Sequence, residues 1–288
     1  MSSINNIKNR ITTVGSIRKI THAMELVSFS KLKKAKAEYE EVLKYDQLLD
    51  AMFDKIFNNL YADELNYFTK ASNSSENSLY IAVSSNLGLA GGYNSNIIKA
   101  TKNLVKENDK LIVIGSYGLK GLSQIFKNQL IQTLEQSNKN ANYHKMVKQI
   151  VKIAMNLYKR GEISSVNIVY TKYINNLVQT EICEKIYPFD SEKVKELVGN
   201  GPSDHNLEFE PSPKKILQEA IPLYIDSKIY TAILNAKISE VASRRIAMEN
   251  ATDNADQLIE SLNIEYNRKR QSKITQEIIE IVSGADAV

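Results

Sequence analysis

Apolar side chains recur every seven residues along the last third of the chain. Leu234, Val241, Met248, Ala255 and Leu262 fall on one line, and Ile238, Ile259 and Tyr266 lie at neighbouring three and four spacings. Such a narrow seam on a helix calls for a second helix to cover it. The stretch is predicted to be one helix over residues 213–281, roughly 69 residues and on the order of 100 Å long. No proline follows Pro222 and no glycine lies between it and Gly284, so the two strongest interruptions are missing. Ser212 can cap the start and Pro213 suits a first turn, whereas Pro222 predicts either a kink or a later start near Tyr224.

The other end of the chain carries a matching pattern. Ile4, Ile7, Ile11 and Val14 follow a 3-4-3 spacing, and Ile17, Ile20, Met24 and Val27 are expected to continue the stripe after a small shift of register. A helix is predicted over residues 3–60, about 85 Å if unbroken, with Gly15 weakening it by roughly 1 kcal/mol relative to alanine. Two long helices at opposite ends of one chain, each with an apolar stripe, are expected to pair antiparallel.

Between them the period changes. Residues 62–77 lose the apolar rhythm, and then short apolar runs alternate with helical ones. Strands are predicted at 79–83, 111–114, 165–170 and 177–186, and helices at 94–107 and 143–158. That alternation predicts a small, mostly parallel sheet covered by helices. Residues 190–210 are polar and hold Gly199, Gly201 and Pro202, the composition of a linker. The expected divisions are an N-terminal helix (1–60), a connector (61–77), a central α/β domain (78–189), a linker (190–211) and a C-terminal helix (212–288).

Composition and charge narrow the function classes. Charged residues make up 24% of the 288 and the formal net charge is +4. The lone Cys183 excludes an internal disulfide and is expected to be buried in its strand. No apolar run reaches 18 residues, and the first fifteen lack the apolar core of a secretion signal. Lys8, Arg10, Arg18, Lys19, Lys31, Lys33, Lys34 and Lys36 stand against the single acid Glu25 in the first 36 residues. Such a basic stretch suits a solvated face, an acidic protein surface or a phosphate backbone. No zinc-finger ligand set or RNA-binding aromatic pair supports nucleic acid.

Signals for catalysis are weak. Gly88, Gly91 and Gly92 follow a strand, but their spacing is that of neither nucleotide-binding fingerprint and no lysine follows where it could reach a phosphate. They, and Gly115, Gly118 and Gly121, are expected to serve structural turns. His22, His144 and His205 fall in three separate regions, and no paired carboxylates define an acid and a base. A mechanical or binding component is favoured over a self-contained enzyme.

The two ends are also specific in sequence. ITHAMELVSFSKLKKAK near the start and RRIAMENATDNADQLIESLNIEYNRKRQSKITQEIIEIVSGADAV at the end closely resemble the gamma subunit of rotary F-type ATP synthases, and SSNLGLAGGYNSN is similar to that family's central glycine-rich segment. The likeness spans nearly the whole chain. It implies an α/β fold class: a long antiparallel coiled coil of the terminal helices beside a Rossmann-like domain. It implies a shaft that turns inside three alpha and three beta subunits, one copy per F1 unit. At its base are an epsilon subunit and a membrane ring of c subunits, on the cytoplasmic face of a bacterial membrane. No cofactor would bind directly, with ATP or ADP and Mg2+ held by the partner subunits. Nucleic acid is not an expected partner.

The resemblance also assigns contacts. Met24, Lys31, Lys33 and Lys34 are expected to face acidic levers of the beta subunits, and Arg268, Lys269, Arg270 and Gln276 to make polar contacts with the collar. Ile278, Ile279, Ile281 and Val282 are expected to form an apolar tip in its bearing. Where the family often reads SDRGLCGG, this chain has Ser84, Ser85, Asn86, Gly88, Leu89, Ala90, Gly91 and Gly92, and His22 replaces the usual lysine before Ala23 and Met24. Three alternatives remain: a shaft of a paralogous F1-like ATPase driving another machine, a coiled coil that binds nucleic acid, and a free-standing α/β enzyme with a pocket near residues 88–93.

Overall fold

The computed structural model describes residues 4–59, 76–134, 143–189 and 209–285. Helix α1 spans Ile4–Phe57, and the last helix, α5, spans Pro213–Ala285 with Pro222 inside it. Between them lie β1 (Ser78–Val83), α2 (Tyr93–Leu104), β2 (Lys110–Ile114), α3 (Ser116–Leu122), β3 (Leu130–Leu134), α4 (Tyr143–Lys159), β4 (Ser165–Tyr173) and β5 (Gln179–Tyr187). The expected connector and linker fall mostly outside the described residues. The chain divides into two compact units, Met1–Ser30 with Arg244–Val288, and Lys31–Ser243.

The larger unit is built on a five-stranded sheet of order β3-β2-β1-β4-β5. Neighbours from β3 to β4 are parallel and β5 is antiparallel to β4. The central strands are apolar on both faces because both faces are covered. On one face Ala82, Leu111, Val113, Leu122 and Phe126 make a small core under α2 and α3. On the other, Ile81, Ile112 and Ile168 meet Ile150 of α4, Phe53 of α1 and Ile225 of α5 in the main core. An aromatic cluster closes its end, with Tyr224 4.8 Å from Phe53 and Phe57 4.9 Å from Phe189.

Two elements have no clear signature in the sequence. The edge strand β3 is short and half polar, and α3 is SYGLKGL, capped by Gly115, in a stretch whose glycines are expected above to serve turns. Gly115 makes the expected turn into the helix, whereas Gly118 and Gly121 lie within α3 and permit close approach of Ser84 and Ile98. Gly115 has φ +97°, and a Cβ there would collide with the Ser84 carbonyl. The Ser84 hydroxyl donates to Ile114 O at 2.7 Å and accepts from the Gly118 N–H at 2.9 Å, so α3 sits against the end of β1 with no room for a side chain.

Within the larger unit α1 and α5 run antiparallel, for Glu38 meets Lys237 at 3.1 Å and Asp46 meets Ser227 at 2.8 Å. Leu32, Ala35, Tyr39, Val42, Asp46, Leu49, Phe53 and Ile56 form an unbroken 3-4 series on α1. Leu32 and Ala35 pack with Ile238, Val241 and Ala242 of α5. In the smaller unit Ile7 and Val14 pack with Ala255 and Leu262, flanked by Ile11, Ile259 and Tyr266. The pairing there is antiparallel too, since Arg18 meets Asp256 and Thr21 meets Thr252.

The register shift expected after Val14 does not occur. The same 3-4 series continues through Arg18, Thr21, Glu25 and Ser28, the last of these buried, while Ile17, Ile20 and Val27 are exposed and Met24 is half-buried. Along this stretch the series facing α5 is thus polar, with Ser28 buried and Arg18, Thr21 and Glu25 intermediate, while Ile17, Ile20 and Val27 face outward. Pairing across the seam explains the exchange: Arg18 and Thr21 have partners on α5, which the isoleucines on the opposite face do not need.

Candidate interaction surface of the paired helices

In an open α/β sheet a ligand ordinarily sits beyond the carboxyl ends of the strands, where the strand order reverses. Here that point lies between β1 and β4, and the chain itself fills it. Buried Tyr93, at the start of α2, reaches Ala236 O of α5 with its hydroxyl at 3.3 Å. The Ser239 hydroxyl donates to Thr171 O at 2.8 Å, and Asn235 Oδ1 accepts from the Tyr173 N–H at 2.7 Å. Helix α5 therefore lies at the place where a nucleotide would go.

The glycine-rich turn before α2 is equally self-contained. Leu89 and Gly91 take positive φ of 61° and 56°, and Gly92 caps α2. Asn94 Oδ1 accepts from the Ser85 N–H at 3.0 Å, and Asn86 Oδ1 accepts from the Ser116 N–H at 3.1 Å. A Cβ at Gly88 would strike the ring of Tyr117. The loop holds two elements together, with Leu87 and Leu89 exposed at its crest.

The remaining chemistry is dispersed. His22 is exposed beside Glu25, His144 stacks on Tyr230 at 4.3 Å, and His205 lies outside the described residues. Cys183 was expected to be buried. It is exposed on the edge strand β5, where Glu184 beside it is exposed too. Among the described residues no three His, Cys, Asp or Glu side chains gather as metal ligands, and no helix is long and apolar enough to cross a membrane.

What the surface does offer lies along the helices. Lys31, Lys33 and Lys34 are exposed on α1, while Lys36 turns back to Asn176 at 3.1 Å and over the ring of Tyr173. Beyond Tyr266 nearly every α5 side chain is exposed: Arg268, Arg270 and Gln276 are open and Lys269 is half-buried. Ile278, Ile279, Ile281 and Val282 are 56%, 58%, 71% and 55% exposed. A water-facing helix has no reason to carry four large aliphatic residues in five positions unless another surface covers them. Gln276 donates to Glu280 at 2.9 Å along the same helix.

A third group escaped sequence reading. Asp46 is 6% exposed, and its carboxylate accepts from the Ser227 hydroxyl at 2.8 Å and from Lys228 Nζ at 2.9 Å. Lys228 also reaches Asp50 at 2.7 Å. Burial opposes the charge on Lys228, but the carboxylates around it and nearby Tyr224 outweigh that and push its pKa up. Tyr224, desolvated by the aromatic cluster and partly relieved by Lys228, is pushed up to about 12. The signal was available: Asp46 falls on the same 3-4 series as Leu32 and Phe53.

Comparison with known proteins shows the family. The family model described as ATP synthase matches residues 3–288. A protein of Mycoplasmopsis agalactiae named ATP synthase gamma chain is 54% identical over 288 residues, covering 100% of both chains. The chain belongs to the ATP synthase gamma family. A gamma chain of Clostridium pasteurianum is 36% identical, with 98% of this chain and 97% of that one covered. In fold the chain resembles the rotor of Euglena gracilis mitochondrial ATP synthase, at TM-score 0.69 and 18% identity over 94% of this chain and 98% of that one. It also resembles the central stalk of the Tetrahymena thermophila enzyme, at TM-score 0.61 and 24% identity over 81% and 99%. As a gamma chain it is one subunit of a complex. The antiparallel helix pair and the mostly parallel sheet are those of this family's fold.

Proposed function

We propose that this chain is the central rotor shaft of an F1 sector, carrying rotation between a membrane ring of c subunits and the catalytic sites of three beta subunits. The observation that carries the reading is the bare apolar end of α5, residues 278–282, on a helix whose preceding turns are sealed by a seam. The seam keeps two helices together, so that torque applied to one is borne by both. Each well-buried aliphatic side chain contributes roughly 1.5 to 3 kcal/mol to that union.

The division of labour follows from the chemistry of each surface. The aliphatic tip suits a bearing that needs low friction and no fixed hydrogen bonds. Arg268, Lys269, Arg270 and Gln276 suit polar contacts with alternating alpha and beta subunits. Lys31, Lys33 and Lys34, with half-buried Met24 a little nearer the N-terminus, suit acidic levers that swing as each site turns over. ATP, ADP and Mg2+ are held by the partners, for in this chain the sheet crevice is filled by α5. An epsilon subunit joins the base, and the complex sits on the cytoplasmic face of a bacterial membrane.

The test is reconstitution with alpha and beta subunits and a bead fixed to the exposed Cys183. The complex should hydrolyse ATP and turn the bead, and the chain alone should not hydrolyse ATP. Removing residues 276–288 should weaken coupling or assembly and leave the melting of the central unit unchanged. Hydrolysis by the isolated chain at the rate of the complex would refute the reading.

A further inference from the structure

From the placement of one ionic cluster on the seam we infer that Asp46, Asp50 and Lys228, with Ser227, form a register key that sets which turn of α1 faces which turn of α5 in the larger unit. The inference does not depend on the rotor assignment.

Asp46 lies in the 3-4 series whose neighbours Tyr39, Val42, Leu49 and Phe53 are apolar or aromatic. Ser227, its partner, stands in the corresponding series of α5, four residues before Thr231 and seven before Leu234. Both inner positions at this level are polar, and they satisfy each other at 2.8 Å. Lys228 then bridges Asp46 and Asp50 at 2.9 and 2.7 Å and lies 5.2 Å from the centre of the Tyr224 ring. A buried carboxylate is tolerated where a cation and a donor meet it, and becomes costly where they do not.

An apolar seam alone is degenerate, because one aliphatic layer packs on the next nearly as well as on its own partner. Sliding α5 by one turn, about 5.4 Å, would set Asp46 against Thr231 or Tyr224 and carry Lys228 out of reach. Either slip leaves Asp46 buried without its cation. A single polar layer in an otherwise apolar seam is the recurrent device by which paired helices fix their register.

The test uses the full chain in a Cys183→Ser background, with spin labels at Lys44→Cys and Gln218→Cys, both exposed positions. Pulsed dipolar spectroscopy should give a single narrow distance. Replacing the key by apolar groups (Asp46→Leu, Asp50→Leu and Lys228→Met together) should add a second population displaced by several ångströms, with helix content by circular dichroism retained. The near-isosteric pair Asp46→Asn and Asp50→Asn should also add it, and that pair decides alone if the apolar triple fails to fold. Lys228→Arg should keep the single distance. One unchanged distance in the folded apolar triple and the asparagine pair would show that hydrophobic packing sets the register, and would overturn the inference.

Discussion

Replacing Ile278, Ile279, Ile281 and Val282 together by serine separates the shaft's own stability from its hold on the collar. The four side chains are 55% to 71% exposed, so little more than half of each remains to be covered by a partner. Full burial of such a residue is worth roughly 1.5 to 3 kcal/mol, so each uncovered remainder is worth about 1 to 2 kcal/mol. The four together come to about 4 to 7 kcal/mol before the ordering of partner loops is subtracted. The affinity of the chain for an alpha–beta collar should therefore fall by at least about a hundredfold, a factor of ten being about 1.4 kcal/mol. The isolated chain should melt within a degree or two of the parent, since exposed substitutions change stability by about 0.5 kcal/mol or less. Titration of labelled chain into collar reads the first quantity and calorimetry of the free chain the second. Unchanged affinity would show that this end of α5 is not the bearing surface. A large drop in melting temperature would show that the tip is covered by the chain itself.

Two further outcomes follow from the larger unit. Phe53→Ala opens the core where Phe53 is 1% exposed and meets Tyr224, Phe57 and Phe189; urea unfolding followed by circular dichroism should show a loss of about 3 to 5 kcal/mol, and a loss below about 1 kcal/mol would contradict the packing. The Tyr224 hydroxyl, raised from 10.0 to about 12 by burial, favours the folded state fully below pH 10, and that contribution is lost as the pH rises towards 12, because the unfolded chain releases the proton first. Tyr224→Phe should flatten the fall in stability between those values by about 2 kcal/mol, and an unchanged alkaline limb would show that the hydroxyl is not desolvated.

Much of the architecture was legible in the chain. The heptad positions of α5 and the alternation of strands and helices needed no tertiary information, since both reflect burial on one face or two. Three features were not legible, each for a physical reason. The apolar run Ile17, Ile20, Met24 and Val27 looked like the inner face because apolarity was read without its partner; Arg18 and Thr21 face α5 because Asp256 and Thr252 stand opposite. Gly115 does turn the chain, but Gly118 and Gly121 looked like turns as well because the approach of Ser84 and Ile98, which excludes a side chain in α3, comes from more than twenty residues away. Cys183 looked buried because an apolar residue in a strand usually is, and only the strand order shows that β5 is an edge. The exposed tip could be named from the resemblance, whereas the Asp46 cluster required both helices in place.

The uncovered end of α5 has a consequence for supply as well as for rotation. Past Tyr266 the helix has an open surface nearly all round, and a lone helical stretch of this length is only marginally stable in water. A copy without its partners carries an open apolar surface at residues 278–282, which we predict makes it more readily cut by protease than the assembled chain. Limited proteolysis of free and assembled chain should therefore cut the free chain first within this stretch, and equal cutting of both would refute the idea. The four aliphatic residues proposed to seat the shaft would then also limit its unassembled pool.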